Sequence, residues 1–83
     1  MNIKIYVGNL SKSTTQAELS LLFTQAGEVI AVDVIKNRRT GEPRGFAFVT
    51  MRAKSDAEKA VNMFNAFTLN DQVLNVGAAI PIE

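Results

Sequence analysis

Arg44-Gly45-Phe46-Ala47-Phe48-Val49-Thr50-Met51 is a short β-prone run, and its alternation between two strand faces decides how the chain is read. One face carries Arg44, Phe46, Phe48 and Thr50 and continues to Arg52. The other carries Gly45, Ala47, Val49 and Met51. Both faces are apolar, so the period alone does not choose the inner one. A phenylalanine pair in a strand is more often core than contact surface. Here the opposite face has bulk enough in Val49 and Met51 to be a core face itself. Arginines, seldom fully buried, bracket the phenylalanines. The phenylalanine face is therefore expected to look outward.

Before this run, Ile3, Ile5 and Val7 alternate with Lys4 and Tyr6 until Gly8-Asn9-Leu10, which predicts a first strand with Tyr6 and Lys4 on the face away from the core. Thr15 and Glu18 have capping-box spacing, so a helix is expected from Gln16, with Leu19, Leu22, Phe23 and Ala26 as its buried stripe. Gly27 suits the left-handed position that closes a helix. Val29 to Lys36 reads as a second strand, with Ile30, Val32 and Val34 on one face and Asp33 and Ile35 on the other. Asn37 to Pro43 is turn-rich, so this strand and the aromatic one form a hairpin. Ser55 and Glu58 repeat the capping-box spacing and predict a second helix, burying Ala57, Ala60, Val61 and Phe64. Asn70-Asp71 suits a turn, since both residues tolerate left-handed geometry. Val73 to Ala79 is a last strand that faces the core with Leu74 and Val76 and stops at Pro81.

The order is βαββαβ. Right-handed crossovers give an α+β, ferredoxin-like fold: a four-stranded antiparallel sheet in the order 4-1-3-2 with both helices on one face. Strands one and three are central. Tyr6, Phe46 and Phe48 then share the uncovered face, where a group of exposed aromatics marks a binding surface.

Composition narrows the chemistry. With 83 residues, 47% of them hydrophobic, residues 1–83 are expected to form one folded domain. The chain has no cysteine and no histidine, which excludes disulfides, thiolate ligands and imidazole bases. No metal site or cofactor is expected. No apolar run reaches membrane-spanning length and none marks a signal peptide, so a cytoplasmic protein is expected. The net charge is only +1, but Lys36, Arg38, Arg39, Arg44, Arg52 and Lys54 cluster against the single acid Glu42. Beside exposed aromatics, such a basic stretch points to a polyanion.

Ile5-Tyr6-Val7-Gly8-Asn9-Leu10 and Arg44 to Met51 together resemble the paired signatures of the RNA recognition motif. The longer one fits the family pattern at every position but its last, Met51. The likeness covers nearly the whole chain, including the Thr40-Gly41 loop and the Asn65 helix end. The chain's length is similar to that of small stand-alone bacterial members. The resemblance implies that Tyr6 stacks one base and Phe48 its neighbour, with Phe46 against the sugars between them and Arg44 on a phosphate. Lys4, Lys36, Arg38, Arg39 and Arg52 complete the expected RNA-binding set. Ala66 stands where the family usually has glycine, which implies a changed turn. Asn75, Gly77, Ala79 and Ile80 stand where basic or polar side chains are usual, which implies less selective binding.

The leading expectation is a module that binds single-stranded RNA without catalysis, expected as a monomer and away from membranes. Single-stranded DNA stays open as a ligand, because stacking does not sense the 2′-hydroxyl. The alternative is a protein-interaction module that uses the same aromatics. An enzyme is the third reading, since small phosphatases share the βαββαβ order, but no catalytic constellation is visible.

Overall fold

The computed structural model describes residues 2–82, with the backbone alone for 78–82. The elements are β1 (Asn2–Gly8), α1 (Gln16–Phe23), β2 (Val29–Lys36), β3 (Pro43–Met51), α2 (Lys54–Phe64), β4 (Thr68–Leu69), β5 (Gln72–Val73) and β6 (Asn75–Ile82). The long strands form one antiparallel sheet in the order β2-β3-β1-β6, the expected topology with β6 as its fourth strand. β4 and β5 pair as a separate small hairpin that the sequence reading did not anticipate.

The two central strands pair Ile3 with Met51, Ile5 with Val49 and Val7 with Ala47. All six are buried, and with Leu19, Phe23, Ala57, Ala60, Phe64, Leu74 and Val76 they make the core between sheet and helices. Phe23 of α1 meets Phe64 of α2 with ring centroids 4.8 Å apart, which joins the helices beneath the sheet. Met51 is fully buried, so the departure from the family pattern at this position concerns packing alone.

Helix α1 starts as its capping box dictates. Thr15 Oγ1 accepts from the Glu18 amide at 3.2 Å, and Glu18 Oε1 accepts from the Thr15 amide at 3.0 Å. Asn70 in the small hairpin's turn also donates to Glu18 Oε2, at 3.2 Å. These bonds, the Thr15 amide first, hold the Glu18 carboxyl below its usual range.

Five local expectations are corrected. Gly27 is not left-handed: Thr24 Oγ1 donates to the Leu21 carbonyl at 2.7 Å, and a tight turn follows the helix. Gly27 is needed for space, because a Cβ there would overlap the Asp56 side chain of α2. Ser55 caps nothing, since α2 starts at Lys54 behind Ala53, which offers no side-chain cap. Ile30 is exposed and does not share the face of Val32 and Val34. A bulge between Val29 and Ala31 turns Val29 inward in its place. Val73 belongs to the small hairpin, so the last strand begins at Asn75. Pro81 does not end that strand, which pairs on to Ile82. β6 is an edge strand, where a missing N–H is tolerated.

The Asn70-Asp71 turn forms as expected, with both residues left-handed. Ala66 also keeps the left-handed conformation that glycine takes more readily, at φ 69°, and its amide donates to the Leu74 carbonyl at 2.8 Å. The turn is thus retained under strain, which for a residue with a Cβ costs about 1–2 kcal/mol. Ala66→Gly relieves that strain and gives back part of it as chain entropy. The expected outcome is a gain of about 1 kcal/mol, seen as a rise of roughly 4–8 °C in Tm in thermal melts followed by circular dichroism. An unchanged or lower Tm would show that the turn is not strained.

Candidate nucleic-acid interface

Tyr6 and Phe48 are directly opposite each other across the β1–β3 pair, and Phe46 is opposite Gly8. The core pairs alternate with these, so the same register that buries Ile5 and Val49 sends the three aromatics to the face without helices. Their ring centroids form a near-equilateral triangle: Tyr6–Phe46 5.9 Å, Tyr6–Phe48 6.0 Å and Phe46–Phe48 6.0 Å. Tyr6 and Phe46 are tilted by 30°, whereas Phe48 stands edge-on to both. Such mutual packing lowers the cost of keeping rings at a surface. Tyr6 is exposed, and the two phenylalanines are half-buried.

Tyr6 reaches Phe46 by lying over Gly8. A Cβ on Gly8 would come within 2.7 Å of Tyr6 Cε2 and 2.8 Å of Cζ. The sequence places Gly8 at the end of a strand and within the shorter signature, without a role toward Tyr6. Its signal was there: the glycine follows the aromatic by two residues, on the same face. On the other side of Tyr6, Gly77 of β6 faces open space.

Lys4 places Nζ 5.2 Å from the Phe48 ring centroid, a cation–π contact that covers part of the ring. Lys36, Arg38, Arg39 and Arg44 are exposed, and all sit at the β2–β3 hairpin end of the sheet. The loop that carries them is ordered by Asn37, whose Oδ1 accepts from the Arg39 amide at 2.8 Å and whose backbone closes on Glu42 and Gly41. Arg52 is not part of this group. It lies at the far end of β3, where it pairs with Glu28 at 3.4 Å. The basic run of the sequence is therefore split in space.

β6 supplies little chemistry. Asn75 is opposite Gly8 and Gly77 opposite Tyr6. The expectations for the side chains of Ala79 and Ile80 lie outside the described residues. β2 presents Asp33 opposite Phe48, exposed on the aromatic face. Among the described residues no three acidic side chains gather as a metal site, and no helix is long and apolar enough to cross a membrane.

Residues 5–75 match the family described as the RNA recognition motif. The chain is 47% identical over 78 residues to the chloroplastic RNA-binding protein CP31B of Arabidopsis thaliana, covering 94% of this chain and 27% of that protein. It is 44% identical over 82 residues to the chloroplastic 29 kDa ribonucleoprotein A of Nicotiana sylvestris, covering 99% of this chain and 30% of that one. The chain thus spans less than a third of these curated relatives. Their names place them in chloroplasts, so the expected cytoplasmic location finds no support among them. Among solved structures, RNA binding protein PG1 superposes with a TM-score of 0.91 at 34% identity, over 98% of both chains. The Sxl-lethal protein/RNA complex superposes with a TM-score of 0.89 at 28% identity, over all of this chain and 50% of the other.

Gly8→Ala tests the seating of Tyr6. The ring, free to swing, should leave Phe46, and nuclear Overhauser contacts between the two rings should vanish. Stability should change by less than about 1 kcal/mol, because alanine suits a strand better than glycine. Contacts that persist unchanged would show that Gly8 does not position the ring. Tyr6 is the only tyrosine and the chain has no tryptophan, so its intrinsic fluorescence reports the same movement.

Proposed function

The chain belongs to the RNA recognition motif family, and from that membership we propose that it binds single-stranded RNA on the helix-free face of its sheet, without catalysis. The observation that carries this reading is the triangle of Tyr6, Phe46 and Phe48, all within 6.0 Å of one another on the two central strands. Tyr6 and Phe48 serve as platforms for neighbouring bases, and Phe46 packs against the sugars between them. Lys36, Arg38, Arg39 and Arg44 hold phosphates at the hairpin end. Lys4 moves from the Phe48 ring to the incoming strand. Arg52 contributes less, because it is paired with Glu28 away from the hairpin cations. Residues 1–83 act in this reading as one domain and as a monomer. Single-stranded DNA is the nearest alternative ligand, since ring stacking ignores the 2′-hydroxyl. RNA-binding relatives and the solved complex with RNA favour RNA over a protein partner.

Phe48→Ala separates a platform from a core residue. The platform reading expects RNA affinity to fall by about 1–3 kcal/mol. Stability should fall by about 1 kcal/mol, for the lost packing on Tyr6 and Phe46. A core phenylalanine would cost roughly 3–5 kcal/mol of stability. Titration of labelled single-stranded RNA beside thermal melts gives both numbers. Undiminished RNA binding by the variant would overturn the platform role.

Arg38→Ala combined with Arg39→Ala tests the phosphate contacts. Affinity should drop by a similar factor for every RNA sequence. The slope of log affinity against log salt should flatten by about 1.4, since each neutralised phosphate of a single strand contributes roughly 0.7. An unchanged slope would leave the two arginines as solvated loop residues.

A further inference from the structure

We infer that Asp33 and Lys4 make the Phe48 platform selective for guanine; this rests on the RNA-binding reading above. β3 lies between β2 and β1, so the Phe48 ring has a strand on either side. On the β2 side, the residue directly opposite Phe48 is Asp33. Directly opposed residues of an antiparallel pair have Cβ atoms about 4.5–5.5 Å apart, so the carboxylate rises next to the ring. Asp33 is exposed, and among the described residues it has no hydrogen bond or ion pair. β2 is the edge strand of the sheet, so no further strand pairs beyond Asp33. On the β1 side Tyr6 is directly opposite Phe48, and Lys4, diagonal to it, holds its ammonium over the ring 5.2 Å from the centroid. The ring is thus flanked by an acceptor on one side and a donor on the other.

A base stacked on Phe48 overhangs the ring and turns one edge toward each flank. A carboxylate has two acceptor oxygens and no donor. Guanine alone among the four bases offers two parallel N–H donors, N1–H and N2–H, on one edge, and these match the two oxygens. Its major-groove edge carries the N7 and O6 acceptors, which suit an ammonium. Adenine keeps N7 but sets its amino group where O6 would be, against Lys4. Cytosine offers one amino group beside a ring acceptor that repels the carboxylate. Uracil offers one N–H between two carbonyl oxygens, both repelled by Asp33. A negative charge on a face that binds a polyanion is otherwise unfavourable, and base reading gives it a use.

The test titrates the protein with fluorescein-labelled octameric RNAs: all-uridine, and the same strand with one central guanosine, adenosine, cytidine or inosine. The wild-type protein should bind the guanosine strand about tenfold more tightly than all-uridine. Inosine, which lacks the 2-amino group, should fall between them. In Asp33→Asn and Asp33→Ala, the guanosine preference should shrink to about twofold or less. Both variants should bind all-uridine as well as wild type or better, since a repelling charge is gone. Equal wild-type binding of all strands would overturn the inference while leaving RNA binding intact. So would a guanosine preference that survives in both Asp33 variants. Failure of the wild-type protein to bind any of the RNAs would overturn the RNA-binding reading itself.

Discussion

The antiparallel register of β1 against β3 is the constraint on which everything else depends. It sets Ile5 beside Val49 and, one residue on, Tyr6 beside Phe48. Because strand side chains alternate with a period of two, one register decides core and interface together. A slip of a single residue would turn the rings under the helices and the core residues into water. The register is held by the helices. They need one continuous apolar floor, and only the face of Ile3, Ile5, Val7, Ala47, Val49 and Met51 provides it. The open face is thus defined by what the core requires of the opposite one.

The topology was legible because it follows from alternation and caps, both local properties of sequence. Strand β2 runs from Val29 to Lys36 and α1 from Gln16, as the residue pattern predicts. Where the reading failed, two local rules competed or a distant residue decided. Ser55 and Glu58 have the same spacing as Thr15 and Glu18, yet only the latter pair caps a helix. Gly27 looks like a helix terminator, but its reason is the Asp56 side chain, 29 positions further along. The bulge that exposes Ile30 comes from matching β2 to β3, and no property of β2 alone announces it. Proline halts a strand only where its amide would be paired, which depends on whether the strand is at the sheet's edge.

The aromatics of the candidate site were equally legible, since a strand with apolar residues on both faces must choose one. The neighbours that tune them were not. Gly8 matters because Tyr6 adopts a side-chain direction that lies along the strand. Asp33 is placed beside Phe48 by a cross-strand pairing. The basic cluster shows the same limit. Residues contiguous in sequence part company in space, with Arg38 and Arg39 in the hairpin and Arg52 beside Glu28 at the far end of β3. Charge counting along a chain sees neither the separation nor the ion pair.

How the rings are held bears on how they bind. Each ring of the triangle packs on two others, so under the proposed function a base would find its platform already oriented and lose little to ordering it. Phe48 alone has something to displace. The Lys4 contact is worth about 0.5–1 kcal/mol at an exposed site, against about 1–3 kcal/mol for a stacked base. Under that reading stacking outweighs the contact, and the ammonium would be released close to the phosphates or to the base edge. Two platforms of this strength offset the cost of association only in part. In the proposed reading the remainder would come from the hairpin cations, whose contribution weakens with salt. Under the proposed function, affinity from the hairpin cations and selectivity at the Phe48 flank are consequently separate properties, supplied by different residues.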